Sequence, residues 1–223
     1  MHFRHVISVS LLLIAGTTHA ATFLDFGIKA PTAGTLSYAG GIAPLIGLGI
    51  DVDDVVGLDT PSNSNVFSVC SSSTLDFETG ASTGGWNFGS GGTITITGGI
   101  DFPDATPDIA AGSTLLEGTF NNATVIDLGS GSFEFQIAGG SFSDTKHPEL
   151  LAFYGLPDIG YAGGLNISFS TTANADDPFT SNQILSGDVT NQPVPVPAPE
   201  AVWLFGSGLL GLVGLVGIAR RRS

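Results

Sequence analysis

The stretch Thr93-Ile94-Thr95-Ile96-Thr97 alternates polar and apolar residues at every position. Successive side chains of a β-strand point to opposite faces, so this stretch predicts a strand with isoleucines on a buried face and threonines on an outer face. A threonine face could bind ice or carbohydrate if neighbouring strands repeated it, but the pattern occurs once. We therefore interpret it as a half-buried strand.

Similar short segments lie on both sides of this stretch, separated by clusters of Gly, Ser, Asn and Pro. They are Val66–Val69, Leu75–Phe77, Thr114–Phe120, Phe133–Ile137 and Leu165–Phe169. Short alternating segments with turns about every 10 to 20 positions are typical of antiparallel all-β domains. We predict an all-β fold, either an antiparallel sandwich or a jelly roll.

One segment departs from this pattern. Residues 148–155 read Pro-Glu-Leu-Leu-Ala-Phe-Tyr-Gly, with proline and an acidic residue in the first turn and glycine as the stop. We predict one short helix here, packed against the sheet by Leu151 and Phe153.

The domain between the two ends of the chain, residues 21–192, is strongly acidic. It holds 19 of the 20 acidic residues but only Lys29 and Lys146 of the six basic ones, for a net charge of −17. Such a domain repels phosphate backbones, which excludes nucleic acid as a partner. The single cysteine, Cys70, excludes an intrachain disulfide, so packing must hold the fold together.

Residues 1–20 have the three parts of a secretory signal peptide. Arg4 precedes an apolar run from Val6 to Ala15, and small and polar residues then lead to Ala20. We predict cleavage after Ala20 and export across the inner membrane.

Residues 201–219 contain no charged residue and predict a transmembrane helix. At 1.5 Å per residue this helix would be about 28 Å long, close to the roughly 30 Å hydrocarbon core of a bilayer. Trp203 suits the membrane interface, and Gly206, Gly208 and Gly211 offer a smooth face for another helix. The basic end, residues 220–223, predicts a cytoplasmic C-terminus through Arg220, Arg221 and Arg222.

Residues 193–200, Pro-Val-Pro-Val-Pro-Ala-Pro-Glu, form an extended spacer before this helix. The spacer, the run Trp-Leu-Phe-Gly-Ser-Gly-Leu-Leu-Gly at 203–211 and the arginines closely resemble the PEP-CTERM sorting signals, especially their VPLPA-like variant. The resemblance covers about the last 30 residues. It implies recognition by a membrane-embedded exosortase, processing near Pro197, Ala198, Pro199 and Glu200, and transfer from a transient membrane anchor to the cell surface or beyond.

Few residues of the acidic domain suggest chemistry. Asp51, Asp53 and Asp54 are weak candidates for Ca²⁺ ligands, because they lack the spacing of an EF-hand loop and ordinary loop acids explain them better. Glu134 and Asp127 would serve a secreted hydrolase only if they converged in one cleft. We expect no enzymatic activity, no cofactor and no firm metal site.

These patterns together predict an exported structural or adhesive protein of the cell envelope or extracellular matrix. The alternative is a secreted polysaccharide-binding module, with exopolysaccharide as its ligand and Ca²⁺ assistance through Asp51, Asp53 and Asp54.

Overall fold

The computed structural model describes residues 22–104, 108–129, 132–136 and 142–194. Within these ranges the protein is all-β with one short helix, which confirms the predicted class. The first seven strands are β1 (Phe23–Ile28), β2 (Thr35–Tyr38), β3 (Leu45–Leu58), β4 (Phe67–Thr79), β5 (Ser82–Gly84), β6 (Asn87–Phe88) and β7 (Gly91–Asp101). The remaining elements are β8 (Ile109–Phe120), β9 (Ala123–Asp127), β10 (Ser132–Gln136), β11 (Phe142–Lys146), α1 (Pro148–Tyr154), β12 (Tyr161–Ser170), β13 (Phe179–Ser181) and β14 (Ile184–Pro193).

Eight of these strands form a closed antiparallel barrel. The order around it is β1, β3, β4, β7, β8, β11, β12 and β14, and β14 pairs with β1 to complete the circle. The sequence predicted a sandwich or jelly roll instead. Alternation specifies which face of each strand is buried, but it does not specify whether the first and last strands of a sheet meet.

The other strands extend the sheet beyond the barrel. β2 and β13 continue from the first half of β3, whereas β10, β9, β6 and β5 continue from β12. β12 belongs both to the barrel and to its extension, because residues 161–163 pair with β11 in the barrel and residues 166–170 pair with β10 in the extension.

The predicted segments Val66–Val69 and Leu75–Phe77 belong to one long strand, β4. The serines between them shift the register against β7 between Ser71 and Thr74, and Ser72 has a φ of 48°. Such a bulge absorbs extra residues and bends the strand without ending the pairing. This serine cluster therefore marks a bulge within one strand and not a turn between two.

The barrel interior is filled with large apolar side chains. In β7, Ile94 and Ile96 are fully buried while Thr93 is exposed, as the alternation predicted. Five buried aromatic residues pack together next to the barrel end formed by Ser170 and Ile184: Tyr38, Trp86, Phe88, Phe169 and Phe179. The ring centroids of Phe169 and Phe179 are 5.5 Å apart, and those of Tyr38 and Phe88 and of Trp86 and Phe179 are 5.6 Å apart. Aromatic rings at these separations stabilise a core beyond the area that they bury.

The predicted helix is confirmed as α1, which packs near the opposite end of the barrel. The Nδ1 atom of His147 accepts a hydrogen bond from the Glu149 N–H at 3.3 Å, and Gly155 ends the helix with a φ of 69°. The buried face includes both predicted residues, Leu151 and Phe153. The Phe153 ring stacks on the Phe102 ring with centroids 4.3 Å apart, so the helix packs against the segment that follows β7.

Candidate functional site

The predicted processing and membrane-anchor residues lie outside the described part of the chain. They are Ala20, the motif Pro197, Ala198, Pro199 and Glu200, the residues Trp203, Gly206, Gly208 and Gly211, and the arginines at 220–222. Among the residues that the structure describes, no helix is both long and apolar enough to cross a bilayer.

The folded domain extends slightly further toward the tail than the sequence indicated. Pro193, which we placed in the spacer, is the last residue of β14 and lies opposite Tyr161. The N–H of Val194 donates a hydrogen bond to the Gly160 carbonyl at 3.1 Å. Proline fits the end of a strand because its missing N–H interrupts the ladder least there.

Asp51, Asp53 and Asp54 stabilise a loop rather than surrounding a common point. The Asp51 carboxylate accepts from the Ala33 N–H at 3.2 Å, and the Asp53 carboxylate accepts from the Lys29 N–H at 2.7 Å. Asp54 forms an ion pair with the Lys29 ammonium. In the described ranges, no three His, Cys, Asp or Glu side chains are grouped so that they could hold a metal ion.

The structure also separates the acids considered for hydrolysis. Asp127 lies opposite Phe133 in the β9–β10 ladder, and Glu134 lies opposite Ile126. Adjacent register pairs alternate between the two faces of a sheet, so positions 127 and 134 lie on opposite faces. The Asp127 carboxylate instead accepts a hydrogen bond from the Gly129 N–H at 2.7 Å.

The structure brings together a group of polar residues inside the barrel that the sequence analysis did not identify. Asp144 and Lys146 lie on β11, Tyr161 begins β12 and Asn191 is near the end of β14. Their exposed fractions are 4%, 6%, 0% and 0%. We call these four residues the polar cluster.

Lys146 is the centre of the polar cluster. Its ammonium forms an ion pair with Asp144 Oδ1 and donates to Asn191 Oδ1 at 3.0 Å. The same nitrogen lies 4.4 Å from the centre of the Tyr161 ring, within the range of a cation–π interaction. Asn191 Nδ2 donates to the Val189 carbonyl at 3.2 Å, which orients the carboxamide.

Two further features accompany the polar cluster. Gly163 lies between Phe142 and Asn191 in the ladder, and the Phe142 ring occupies the space that a side chain at 163 would need. The second carboxylate oxygen of Asp144, Oδ2, is buried and has no hydrogen-bond partner among the described residues. A buried polar atom without a partner costs free energy, so its retention points to a role.

Burial shifts the pKa values of the ion pair toward each other. Desolvation raises the pKa of Asp144 to about 6, although the charge of Lys146 and its hydrogen bond oppose the rise. Desolvation lowers the pKa of Lys146 to about 8, against the opposing effect of Asp144. The pair can therefore exchange a proton internally more easily than the same groups in water.

A sequence signal for the polar cluster existed. In Phe142-Ser143-Asp144-Thr145-Lys146, the buried aromatic residue is followed at two and four positions by an acid and a base. Strand alternation places all three side chains on one face, and that face is buried in the barrel. The partner Asn191 is 45 residues from Lys146 and gives no such local signal.

A second polar feature lies on the surface at the far end of β12 and β14. Two adjoining depressions of about 450 Å³ and 420 Å³ share Thr171, Thr172 and Thr180. The first also includes Asn174 and Asp177, whose side chains hydrogen-bond at 3.0 Å; the second includes Ser170, Ser181, Asn182 and Gln183. We call this surface the polar depression, and its hydroxyl and amide groups can both donate and accept hydrogen bonds.

Comparison with known proteins identifies no relative of this chain: no protein family, curated protein or solved structure matches it.

Proposed function

We propose that this chain is an exported protein, displayed at the cell surface or in the extracellular matrix, whose barrel is a structural or adhesive unit. The sorting tail carries this proposal: an extended proline-rich spacer, an uncharged apolar stretch of helical length and three terminal arginines. The N-terminal segment that resembles a signal peptide supports the same direction of export.

The architecture of the barrel suits display from a C-terminal attachment. The chain leaves the barrel after β14, at the end where Tyr161 pairs with Pro193. The polar depression adjoins the other end of the same strands, about 30 Å away at roughly 3.4 Å per residue. An attached barrel would therefore hold the polar depression away from the membrane.

The filled interior supports a structural role. Trp86, Tyr154, Phe120 and Phe169 are among its largest fully buried side chains, and each burial of this kind stabilises the fold by about 1.5 to 3 kcal/mol. The acidic exterior keeps exported copies apart and in solution, because like charges repel.

The test is to follow the full chain in its own host. Membrane fractionation and intact mass would be measured in cells with and without the membrane-embedded processing enzyme. We expect loss of residues 1–20 and of the apolar helix when that enzyme is present, and retention of the helix in the inner membrane when it is absent.

A matched pair of variants sharpens this experiment. Replacing Pro197, Ala198 and Pro199 with a Gly-Ser-Gly sequence should block processing, because the extended motif is lost while the helix and arginines remain. The same replacement at Pro193, Val194 and Pro195 should leave processing unchanged, because the motif at 197–199 is intact. A chain that stays in the inner membrane whether or not the enzyme is present contradicts the proposal.

The polar depression favours polysaccharide binding as a second candidate function. Its Thr, Ser, Asn and Gln side chains match the hydroxyl groups of a sugar as donors and acceptors. The test is retention of the protein on the exopolysaccharide of its host, with and without a chelator.

Asn182→Ala/Gln183→Ala should weaken retention at least about tenfold, because each exposed amide supplies hydrogen bonds worth about 0.5–1.5 kcal/mol. The control Asn121→Ala/Asn122→Ala removes two exposed amides from a turn elsewhere on the surface. Equal retention of both variants contradicts a binding role for the polar depression. Loss of retention with chelator would assign a role to Ca²⁺.

A further inference from the structure

We propose that the polar cluster is a modification site, at which Lys146 Nζ and Asn191 Cγ join in an intramolecular amide bond with release of ammonia. Asp144 would carry the protons in this step. The proposal does not depend on the proposed function, since the reaction needs only the folded barrel.

The geometry already holds the reacting groups together. Lys146 Nζ lies 3.0 Å from Asn191 Oδ1 and is also bonded to the Asp144 carboxylate. The Asn191 carboxamide is oriented by the bond from Nδ2 to the Val189 carbonyl at 3.2 Å. Holding two reactants in position in this way converts a bimolecular reaction into an intramolecular one, for which effective concentrations reach about 10⁵ M or more.

The surroundings exclude the competing reaction with water. The side chains of Lys146 and Asp144 are both fully buried. Leu116 lies opposite Lys146 and Leu24 lies opposite Asn191, and neither leucine is exposed. The amine also lies over the Tyr161 ring, 4.4 Å from its centre. Water exclusion of this kind favours attack by the amine over hydrolysis of the carboxamide.

The step balances without an oxidant, a reductant or a cofactor. The Lys146 ammonium first gives a proton to Asp144, and the free amine then attacks Asn191 Cγ. The bond from Nζ to Cγ forms and the bond from Cγ to Nδ2 breaks. The attacking nitrogen loses a second proton, and Nδ2 leaves as ammonia after receiving one proton through Asp144. One proton from the original ammonium remains on the Asp144 carboxyl group or departs with ammonia as ammonium.

The pKa shifts support this proton path. Burial lowers the pKa of Lys146 to about 8 and raises the pKa of Asp144 to about 6. The amine is therefore closer to its nucleophilic form, and the carboxyl group is closer to a pKa at which it can both accept and donate near neutral pH. Asp144 Oδ2, which has no hydrogen-bond partner in the part of the chain that the structure describes, is available for this transfer.

The bond would link the last strand of the barrel to β11 across β12. Asn191 is two residues from the end of β14, next to the exit of the chain toward the tail. The cross-link would close a loop over 45 residues, in a protein whose single cysteine cannot form an intrachain disulfide. Loop closure of this kind restricts the unfolded chain and stabilises the folded one.

The experiment is peptide mass measurement on the full chain, after its folding has been verified by circular dichroism. A glutamyl endopeptidase cuts after Glu134, Glu149 and Glu200, which places Lys146 in peptide 135–149 and Asn191 in peptide 150–200. We expect these peptides as one linked species, lighter by one ammonia, about 17 Da, than their sum. Trypsin should also fail to cut after Lys146.

Three variants assign the roles. Lys146→Arg should abolish the linked species. Asp144→Asn should lower it about a hundredfold or more, because the amine and carboxamide remain but the proton carrier is lost. Lys29→Arg is the matched control and should leave the link intact, since the Lys29 ammonium pairs with Asp54, which is not part of the polar cluster.

Linked peptides localised to Lys146 and Asn191 by fragmentation support the proposal. Separate peptides 135–149 and 150–200 of unmodified mass, recovered from folded wild-type protein, overturn it. A loss of one ammonia within a single peptide, without linkage, also overturns it.

Discussion

The two lysines of the described domain form the same chemical pair in opposite surroundings. Lys29 binds Asp54 on the outside of the barrel, where the Lys29 side chain is 61% exposed, whereas Lys146 binds Asp144 where both side chains are 0% exposed. The hydrogen bond to Asp54 raises the pKa of Lys29, while burial lowers the pKa of Lys146. Solvent therefore decides whether an ion pair is a weak surface contact or a costly buried group.

The two ion pairs are compared in an Asn191→Ala background, in which Lys146 keeps its ammonium and cannot form the proposed amide bond. The largest expected difference between the pairs is in stability. Lys146→Met should lower the free energy of unfolding by about 3 kcal/mol or more, because it leaves the Asp144 carboxylate buried without a counter-charge. Urea denaturation at pH 7 measures this loss. Lys29→Met is the control and should change stability by no more than about 0.5 kcal/mol. Equal losses in the two variants would contradict the conclusion that the buried ion pair matters more to stability than the exposed one.

Replacing both members of the buried pair should recover part of that loss. Asp144→Leu/Lys146→Met should be more stable than Lys146→Met by about 2 kcal/mol, because no uncompensated charge remains inside the barrel. A double-mutant cycle by urea denaturation measures the coupling. Asp54→Leu/Lys29→Met gives the matched cycle on the surface, and a coupling as large there would show that burial is not the cause.

The acidic surroundings of the exposed pair predict a pH effect. The pKa of Asp25 is raised from 3.8 to about 6. Burial is the largest cause, and the negative charges of Asp188 and Asp54 add to it. The folded protein therefore binds this proton more tightly than the unfolded chain, and the resulting stability is lost as pH rises from about 4 through 6.

Asp25→Asn should accordingly stabilise the protein at pH 7 by about 1 kcal/mol and reduce the decline in stability between pH 4 and 6. Thermal unfolding across this range checks the prediction. Asp144, with a raised pKa of about 6, titrates in the same window, so some decline will remain. A slope identical to that of the wild type would show that Asp25 does not carry the effect.

The smallest expected effect concerns salt. Coupling between Lys29 and Asp54, measured by a double-mutant cycle, should fall by about half or more between 0.01 M and 1 M salt, because mobile ions screen exposed charges. The coupling of Lys146 with Asp144 should change little, since both side chains are inaccessible to solvent. Equal salt dependence would place the buried pair in contact with solvent.

The sequence was sufficient for features that depend on neighbouring residues. Alternation at 93–97 predicted the buried isoleucines of β7, and the signals from Pro148 to Gly155 predicted α1 within one residue. Local patterns are reliable here because strand alternation and helix capping each involve only a few adjacent positions.

Tertiary structure alone decided which strands pair and which side chains come together on their buried faces. Asp127 and Glu134 are close in sequence, yet the register places them on opposite faces. Lys146 and Asn191 are distant in sequence, yet closure of the sheet brings them to 3.0 Å. The amino-acid sequence by itself determined the all-β class, the helix and the acidic surface, because composition and period are local properties. The barrel and its polar cluster depend on pairing between distant strands, which no local pattern specifies.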